Sequence, residues 1–344
     1  MRKSGIDAMQ RALAFPANGS YRCDLSHELT ALELCAGGGG QALGLEQAGI
    51  GHAGLIEIDS HACATLRRNR PGWNVIQGDL NEFDGALFRG VDLIAGGLPC
   101  PPFSVAGKQL GEKDERNLFP ALLRLVDQIR PRAVMIENVR GFLDPVFASY
   151  RSFLKAELSK LGYETAWKLM NASDFGVPQL RPRVLVVALR RGLASGFSWP
   201  EPAARLPATV GETLHDLMAA NGWRGADRWA AQANDIAPTI VGGSRKHGGP
   251  DLGPVRARRA WADLGVDGIG IANAAPGPDF EGMPKLTVPM VARLQGFPDN
   301  WIFAGGKTQS YRQVGNAFPP PFAFAVAGRV AACISASTVT PVAV

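Results

Sequence analysis

Six short, almost wholly apolar runs, residues 29–34, 53–58, 74–77, 91–95, 133–136 and 184–189, alternate with amphipathic stretches near 41–48, 60–69, 118–128 and 146–161. A strand with no polar face has to be covered on both sides, and intervening amphipathic helices supply the two covers. The pattern predicts an α/β fold with a mostly parallel, doubly wound sheet. Residues 165–169, just before the last run, are predicted as an antiparallel edge strand.

The alternation stops after Arg190-Arg191. From there to about residue 285 the chain is rich in Gly, Pro, Ala and Trp, which predicts a separate small domain. Within it, Thr209-Val-Gly-Glu212 reads as a capping box opening a helix, and residues 236–241 read as a strand. A glycine-rich loop over 242–254 leads to the basic cluster Arg256, Arg258 and Arg259. Trp223, Trp229 and Trp261 are expected to build the small core, since little other bulk is present. Helix-like patterns over 286–297 and 311–330 return the chain to the first domain. The predicted division is therefore 1–189 completed by 286–335, with 190–285 as the small domain.

Composition narrows the class. A formal charge of +5 permits a polyanionic partner without requiring one. No apolar stretch of transmembrane length and no secretory signal are read, so a cytoplasmic protein with no membrane partner is expected. The five cysteines, Cys23, Cys35, Cys63, Cys100 and Cys333, form no CxxC pair, so neither a disulfide framework nor a metal site is expected.

Five strand-end loops carry the chemistry, since ligands of open α/β sheets bind beyond the carboxyl ends of the strands. Ala36-Gly37-Gly-Gly39-Gly40 follows the first strand and leads into a helix; glycine permits a sharp turn and close ligand approach. Glu57 lies 20 residues after Gly37, an offset suited to holding ribose hydroxyls. No basic residue sits beside this turn to neutralise a phosphate, so a nucleoside without a pyrophosphate fits best. Asp79 is placed to accept from an adenine amino group, or else is a solvated turn residue. Cys100, between Pro99 and Pro101, is either a nucleophile at a strand end or an inert thiol. Residues beyond it, through Gly107 and Gly111, read as a lid. Glu137, ending the fifth strand, is a candidate proton donor or an ion-paired carboxylate. Arg181 and Arg183, in an extended run, are expected on one face, suited to an anion or a polarised carbonyl or forming a solvated flank. A thiolate adds only to an electron-poor carbon, and a pyrimidine protonated by Glu137 and held by arginine offers one.

These residues in this order resemble the DNA (cytosine-5)-methyltransferases of bacterial restriction–modification systems and orphan methylases. The resemblance covers about residues 29–189 and 285–330, and extends to Asn171–Arg183, to Ala292-Arg-Leu-Gln-Gly-Phe-Pro298 and to Gly315-Asn316-Ala-Phe-Pro-Pro320. It implies a class I S-adenosylmethionine-dependent methyltransferase fold with a smaller target-recognition domain at 190–285. By the same resemblance Ala36, Gly37, Gly39, Gly40, Glu57, Ile58, Asp79, Leu80, Pro99 and Asn316 hold S-adenosylmethionine, Cys100 attacks cytosine C6, Glu137 contacts N3, and Arg181, with Arg183, orients the base. The implied partner is duplex DNA, entered by base flipping and contacted by Ser104, Arg245, Lys246, Arg256, Arg258 and Arg259, with Asn234, Ser244 and His247 as weaker candidates. A cognate endonuclease and a monomeric state are further expectations.

Four residues depart from the family pattern: Cys35 for phenylalanine, Leu98 for the first proline of Pro-Pro-Cys, Pro101 for glutamine and Pro289 for arginine. None removes a reacting group, so an active enzyme is expected. The alternatives are an RNA cytosine-5 methyltransferase and a catalytically silent DNA-binding relative.

Overall fold

The computed structural model describes residues 29–98, 117–242 and 250–336. Seven strands, β1 (Leu29–Leu34), β2 (Ile50–Glu57), β3 (Val75–Gln77), β4 (Leu93–Gly97), β5 (Ala133–Val139), β6 (Tyr163–Asn171) and β7 (Pro182–Arg190), form one sheet in the order β3-β2-β1-β4-β5-β7-β6. The first five run parallel. Strand β6 is at the edge, as expected, and pairs antiparallel with β7. The strand that opposes all the others is β7, inserted between β5 and β6.

Alternation within each strand divides the core. Leu32, Leu34, Ile94, Val134 and Ile136 face α3 (Phe119–Ile129) and α4 (Ala148–Lys160). Ala31, Leu93, Ala95 and Met135 face the other way, where α10 (Pro320–Ala336) supplies Phe322, Val326 and Val330. The remaining helices between strands are α1 (Gly40–Gln47) and α2 (Ser60–Asn69), the latter capped by Asp59, whose side chain accepts from the His61 and Ala62 N–H groups. Chain order reverses direction between β1 and β4, and the crevice at such a switch point is where these sheets bind ligands. The loop after β1 opens there, and β4 ends there at Gly97.

Residues 210–264 contribute α5 (Val210–Ala219), with its Thr209–Glu212 capping box, α6 (Ala226–Gln232) and α7 (Val255–Asp263). Trp223, Trp229 and Trp261 are buried among them. The same apolar cluster continues into α8 (Val288–Leu294) and α9 (Lys307–Asn316). Two expectations are corrected. Residues 236–241 form no strand; Ala237 makes one isolated bridge to Gln179. The pattern read over 311–330 is two helices, because the amide of Pro319 or Pro320 cannot continue the hydrogen-bond ladder. Within 307–336 one 18-residue window is apolar enough by composition to cross a membrane, but most of that window is buried inside the fold.

Glu33 on β1 is fully buried, with the Ala42 backbone N–H of α1 donating to its carboxyl. Burial, and then the nearby Glu57 charge, hold its pKa well above the ordinary glutamate value. The native state therefore keeps a proton that the unfolded chain loses, and stability falls as pH rises from the ordinary glutamate range toward the raised value. Glu33→Gln keeps an acceptor and has nothing to ionise. Its melting temperature is expected to decline less than that of the wild type from pH 5 to about 8; parallel curves by circular dichroism contradict a protonated native Glu33.

Candidate active site

Beyond β1 the backbone turns through Cys35 (φ 55°), Gly37 (φ 54°) and Gly39 (φ 88°), all left-handed. A non-glycine residue here is strained, a cost concentrated at functional sites. The glycines have different reasons. A Cβ on Gly40 would meet the Phe318 carbonyl at 2.3 Å, and one on Gly38 would press on Phe303 and Gln313. These positions are small because α1 and the α9–α10 turn pack against them. At Gly37, by contrast, the nearest described atom to such a Cβ is the Cys35 carbonyl oxygen at 3.9 Å. Among the described residues, that face of the loop is open.

Glu57 closes the floor. Its Oε2 accepts from the Gly37 N–H at 2.7 Å and its Oε1 from the Asp59 N–H at 2.8 Å. The Ile58 N–H bonds the carboxylate as well; with about four lone-pair sites on two oxygens, the group is fixed in place and still able to receive a ligand hydroxyl. Burial raises its pKa, opposed by those N–H groups. Ile58, next along the chain, is 63% exposed, a flat apolar surface beside the carboxylate. Asp79 lies two residues past the β2–β3 pairing, its Oδ1 accepting from the Asn81 N–H; Leu80 is buried. The Cys35 thiol is pushed up first by burial and then by the nearby carboxyl groups of Glu57, Asp79 and Glu33. Asn316 is exposed at the end of α9, on the turn that packs against Gly40. Carboxylates, an apolar ledge and an open glycine fit S-adenosylmethionine, a nucleoside carrying a cationic sulfonium tail.

The reacting side lies one strand over. Gly97 is opposite Glu137 in the β4–β5 register, and a Cβ on Gly97 would stand 3.4 Å from Glu137 Oε2. Glu137 is buried, and its Oε1 lies 2.6 Å from Arg183 Nε. Arg183 follows from register: Val139 faces Arg183 across β5–β7, with Leu185 opposite Glu137.

The two arginines are divided differently from the expectation. Arg183 lies beside Glu137, whereas Arg181 is 1% exposed and committed elsewhere. Its Nη1 donates to the Ile240 carbonyl at 2.6 Å, and its Nη2 to the Gly315 and Ala317 carbonyls at 2.9 and 3.0 Å. Both Nη groups of Arg181 are thus held by carbonyls, an arrangement different from the base-orienting one expected of it. The reason is local. Arg181 precedes β7, so the strand alternation that would align it with Arg183 does not reach it. Its backbone N–H is instead held by Asn171 Oδ1. Sequence reading also missed Gln179 and Gln295, both fully buried and hydrogen-bonded to each other, and Trp301, whose Nε1 donates to the Gly38 carbonyl. Both glutamines lie inside stretches that resemble the family's motifs, which was the available signal.

On α7, Arg256 and Arg259 are exposed and Arg258 half-buried against Gly268; Asn234 is exposed. Pro99, Cys100, Ser104, Ser244, Arg245, Lys246 and His247 lie outside the described residues. Among the described residues no cluster of metal-ligating side chains occurs.

Residues 29–332 match the family of C-5 cytosine-specific DNA methylases. The chain is 57% identical over 313 residues to type II methyltransferase M.NaeI of Lentzea aerocolonigenes, covering 89% of this chain and 76% of that one. It is 54% identical to type II methyltransferase M.NgoMIV of Neisseria gonorrhoeae, covering 88% and 97%. Its fold is similar to that of the Entamoeba histolytica methyltransferase EhMeth, at TM-score 0.62 and 15% identity over 91% of this chain and 99% of that one. The Spodoptera frugiperda DNMT2 mutant structure gives TM-score 0.60 and 19% identity over 90% and 100%. The chain belongs to the C-5 cytosine-specific DNA methylases and is an S-adenosylmethionine-dependent enzyme that methylates cytosine in DNA at C5.

Proposed function

We propose that the enzyme acts on one cytosine of a specific duplex sequence, flipped from the stack, through a covalent bond between Cys100 and C6. The flip is required because C5 and C6 are not accessible to a nucleophile inside the helix. The observation that carries the reading is the carboxylate of Glu137 against Gly97. Cys100 is three residues beyond Gly97, within about 10 Å along an extended chain. Among the described cysteines the alternatives are poor: burial holds the Cys35 and Cys333 thiols up and pushes Cys63 up to about 11, so each stays protonated and weakly nucleophilic.

In this mechanism the Cys100 thiolate adds to C6 while Glu137 delivers a proton to N3, so no charge accumulates on the ring. Arg183, paired with Glu137, holds that carboxyl and faces the base. The addition makes C5 an enamine carbon. S-adenosylmethionine held in the cradle would supply the electrophilic methyl group, with S-adenosylhomocysteine as the leaving group. A base then takes the C5 proton, the electron pair expels the thiolate from C6, and N3 returns its proton to Glu137. Glu57, Ile58 and Asp79 are proposed to hold the ribose and adenine, with Gly37 and Asn316 along the tail. Residues 190–285 are assigned to target reading, with Arg256, Arg258 and Arg259 among the phosphate or base-edge contacts. We further propose a monomer acting on DNA in the cytoplasm, paired with an endonuclease of the same specificity.

Transfer of labelled methyl groups from S-adenosylmethionine to duplex DNA and to tRNA, followed by bisulfite sequencing of host DNA after expression, tests this. Label is expected in DNA, at one cytosine of one recurring sequence. Label in tRNA alone favours the RNA reading, and methylation without sequence preference overturns the specificity.

A further inference from the structure

We propose that α9 is a positioning element that couples DNA engagement to cofactor affinity, through backbone contact between Gly315 and Gly242. This rests on the reading of Asn316 as a cofactor contact. A Cβ on Gly315 would lie 2.5 Å from both the Cα and the N of Gly242, and one on Gly242 would lie 2.2 Å from Asn316 Oδ1. Neither distance admits a carbon atom, so the two glycines are in direct contact with no side chain between them to absorb movement.

The contact is clamped from behind. One planar guanidinium, that of Arg181, bonds Ile240 with one nitrogen and Gly315 and Ala317 with the other. Gln179 Oε1 accepts from the Ile240 N–H at 2.9 Å, and Gln295 Nε2 donates to the Val314 and Ala317 carbonyls at 3.0 and 2.9 Å. All three side chains are buried. One turn earlier on α9, Tyr311 Oη donates to the Asp251 carbonyl at 2.6 Å. The small domain therefore meets α9 at Gly242 and again at Asp251, and the last residue of that helix is Asn316. DNA that shifts Ile240, Gly242 and Asp251 moves Asn316 with them, because these residues touch α9 directly.

Coupling of this kind is a binding free energy shared by two ligands, so it reads out as a ratio and holds in both directions. In the full-length enzyme, the Kd of S-adenosylhomocysteine is measured by calorimetry with and without a short duplex carrying the sequence found by bisulfite conversion. The wild type is expected to bind about 5- to 150-fold tighter with the duplex. For Gly315→Ala that ratio is expected to collapse toward unity, and for the milder Tyr311→Phe, which keeps the ring packing, to fall part-way. Melting curves identify a variant that fails to fold, in which case Tyr311→Phe alone decides. An unchanged ratio in a folded variant, or no tightening in the wild type, overturns the coupling. Asn316→Ala distinguishes the other failure: if it leaves S-adenosylhomocysteine affinity intact, the cofactor reading of the turn is wrong, and the proposal falls with it.

Discussion

Cys100→Ala is expected to abolish methyl transfer while leaving binding of duplex DNA and of S-adenosylhomocysteine intact. The thiolate makes C5 reactive at all, so its removal takes away the reaction path and not merely a stabilising contact. A loss of about 10⁴-fold or more is expected, the scale on which covalent nucleophiles are missed. Duplex DNA carrying 5-fluorocytosine at the target adds a sharper test. After methylation, C5 of that base bears fluorine and methyl and has no proton to give up. The wild type should then remain bonded to DNA through denaturing electrophoresis, whereas Cys100→Ala should run free. Peptide mapping of the adduct decides the assignment, since a bond at Cys35, Cys63 or Cys333 would transfer the role. The raised thiol pKa of each of these argues against that outcome. Cys100→Ser retains the shape but has a far weaker nucleophile, and is expected to fail in both assays.

Much of this arrangement is legible before any coordinates. The run 29–34 and the stretch 60–69 coincide with β1 and α2, because a mostly apolar short run and an amphipathic stretch are local signals. Glu57 and Glu137 are legible because each ends an apolar strand, where the fold exposes side chains to ligand. The failures share one physical cause, namely contacts made at long range. Residues 236–241 have strand-like composition, but only Ala237 makes a bridge to another strand-like segment, and Ile240 is held by side chains instead. Spacing of two made Arg181 and Arg183 look equivalent. Only the start of β7 at Pro182 shows that one obeys the strand's alternation and the other does not. The Gly242–Gly315 contact joins positions far apart in the chain, and a glycine carries no mark of what it touches. Likewise Gly38 and Gly40, read as part of a ligand loop, are small chiefly for Phe303 and Phe318.

Glu137→Gln tests the acid and the division of the arginines together. Glutamine keeps the size of the side chain and can still hydrogen-bond to N3, but it has no proton to deliver. A fall in kcat of about 10²–10⁴-fold is expected, the range spanned by general acids, with cofactor and DNA affinities nearly unchanged. Glu137→Ala is the poorer probe. Removing one partner of a buried ion pair leaves Arg183 uncompensated and typically costs about 3–5 kcal/mol, so lost activity would be confounded with lost fold. Arg183→Lys keeps the charge but loses the planar fork that holds a carboxylate, and is expected to lower kcat in the same sense. Arg181→Lys should behave otherwise. Its guanidinium spans three carbonyl groups on two segments, more than an ammonium can reach in that geometry. Its loss should therefore weaken S-adenosylhomocysteine binding and thermal stability more than it slows the chemical step in a single turnover at saturating cofactor. If Arg181→Lys instead lowers single-turnover kcat with cofactor affinity intact, Arg181 touches the base after all and the assignment to Arg183 is wrong. If Glu137→Gln turns over near the wild-type rate, N3 is protonated by another group, and the position of the carboxylate beside Gly97 has a structural purpose only.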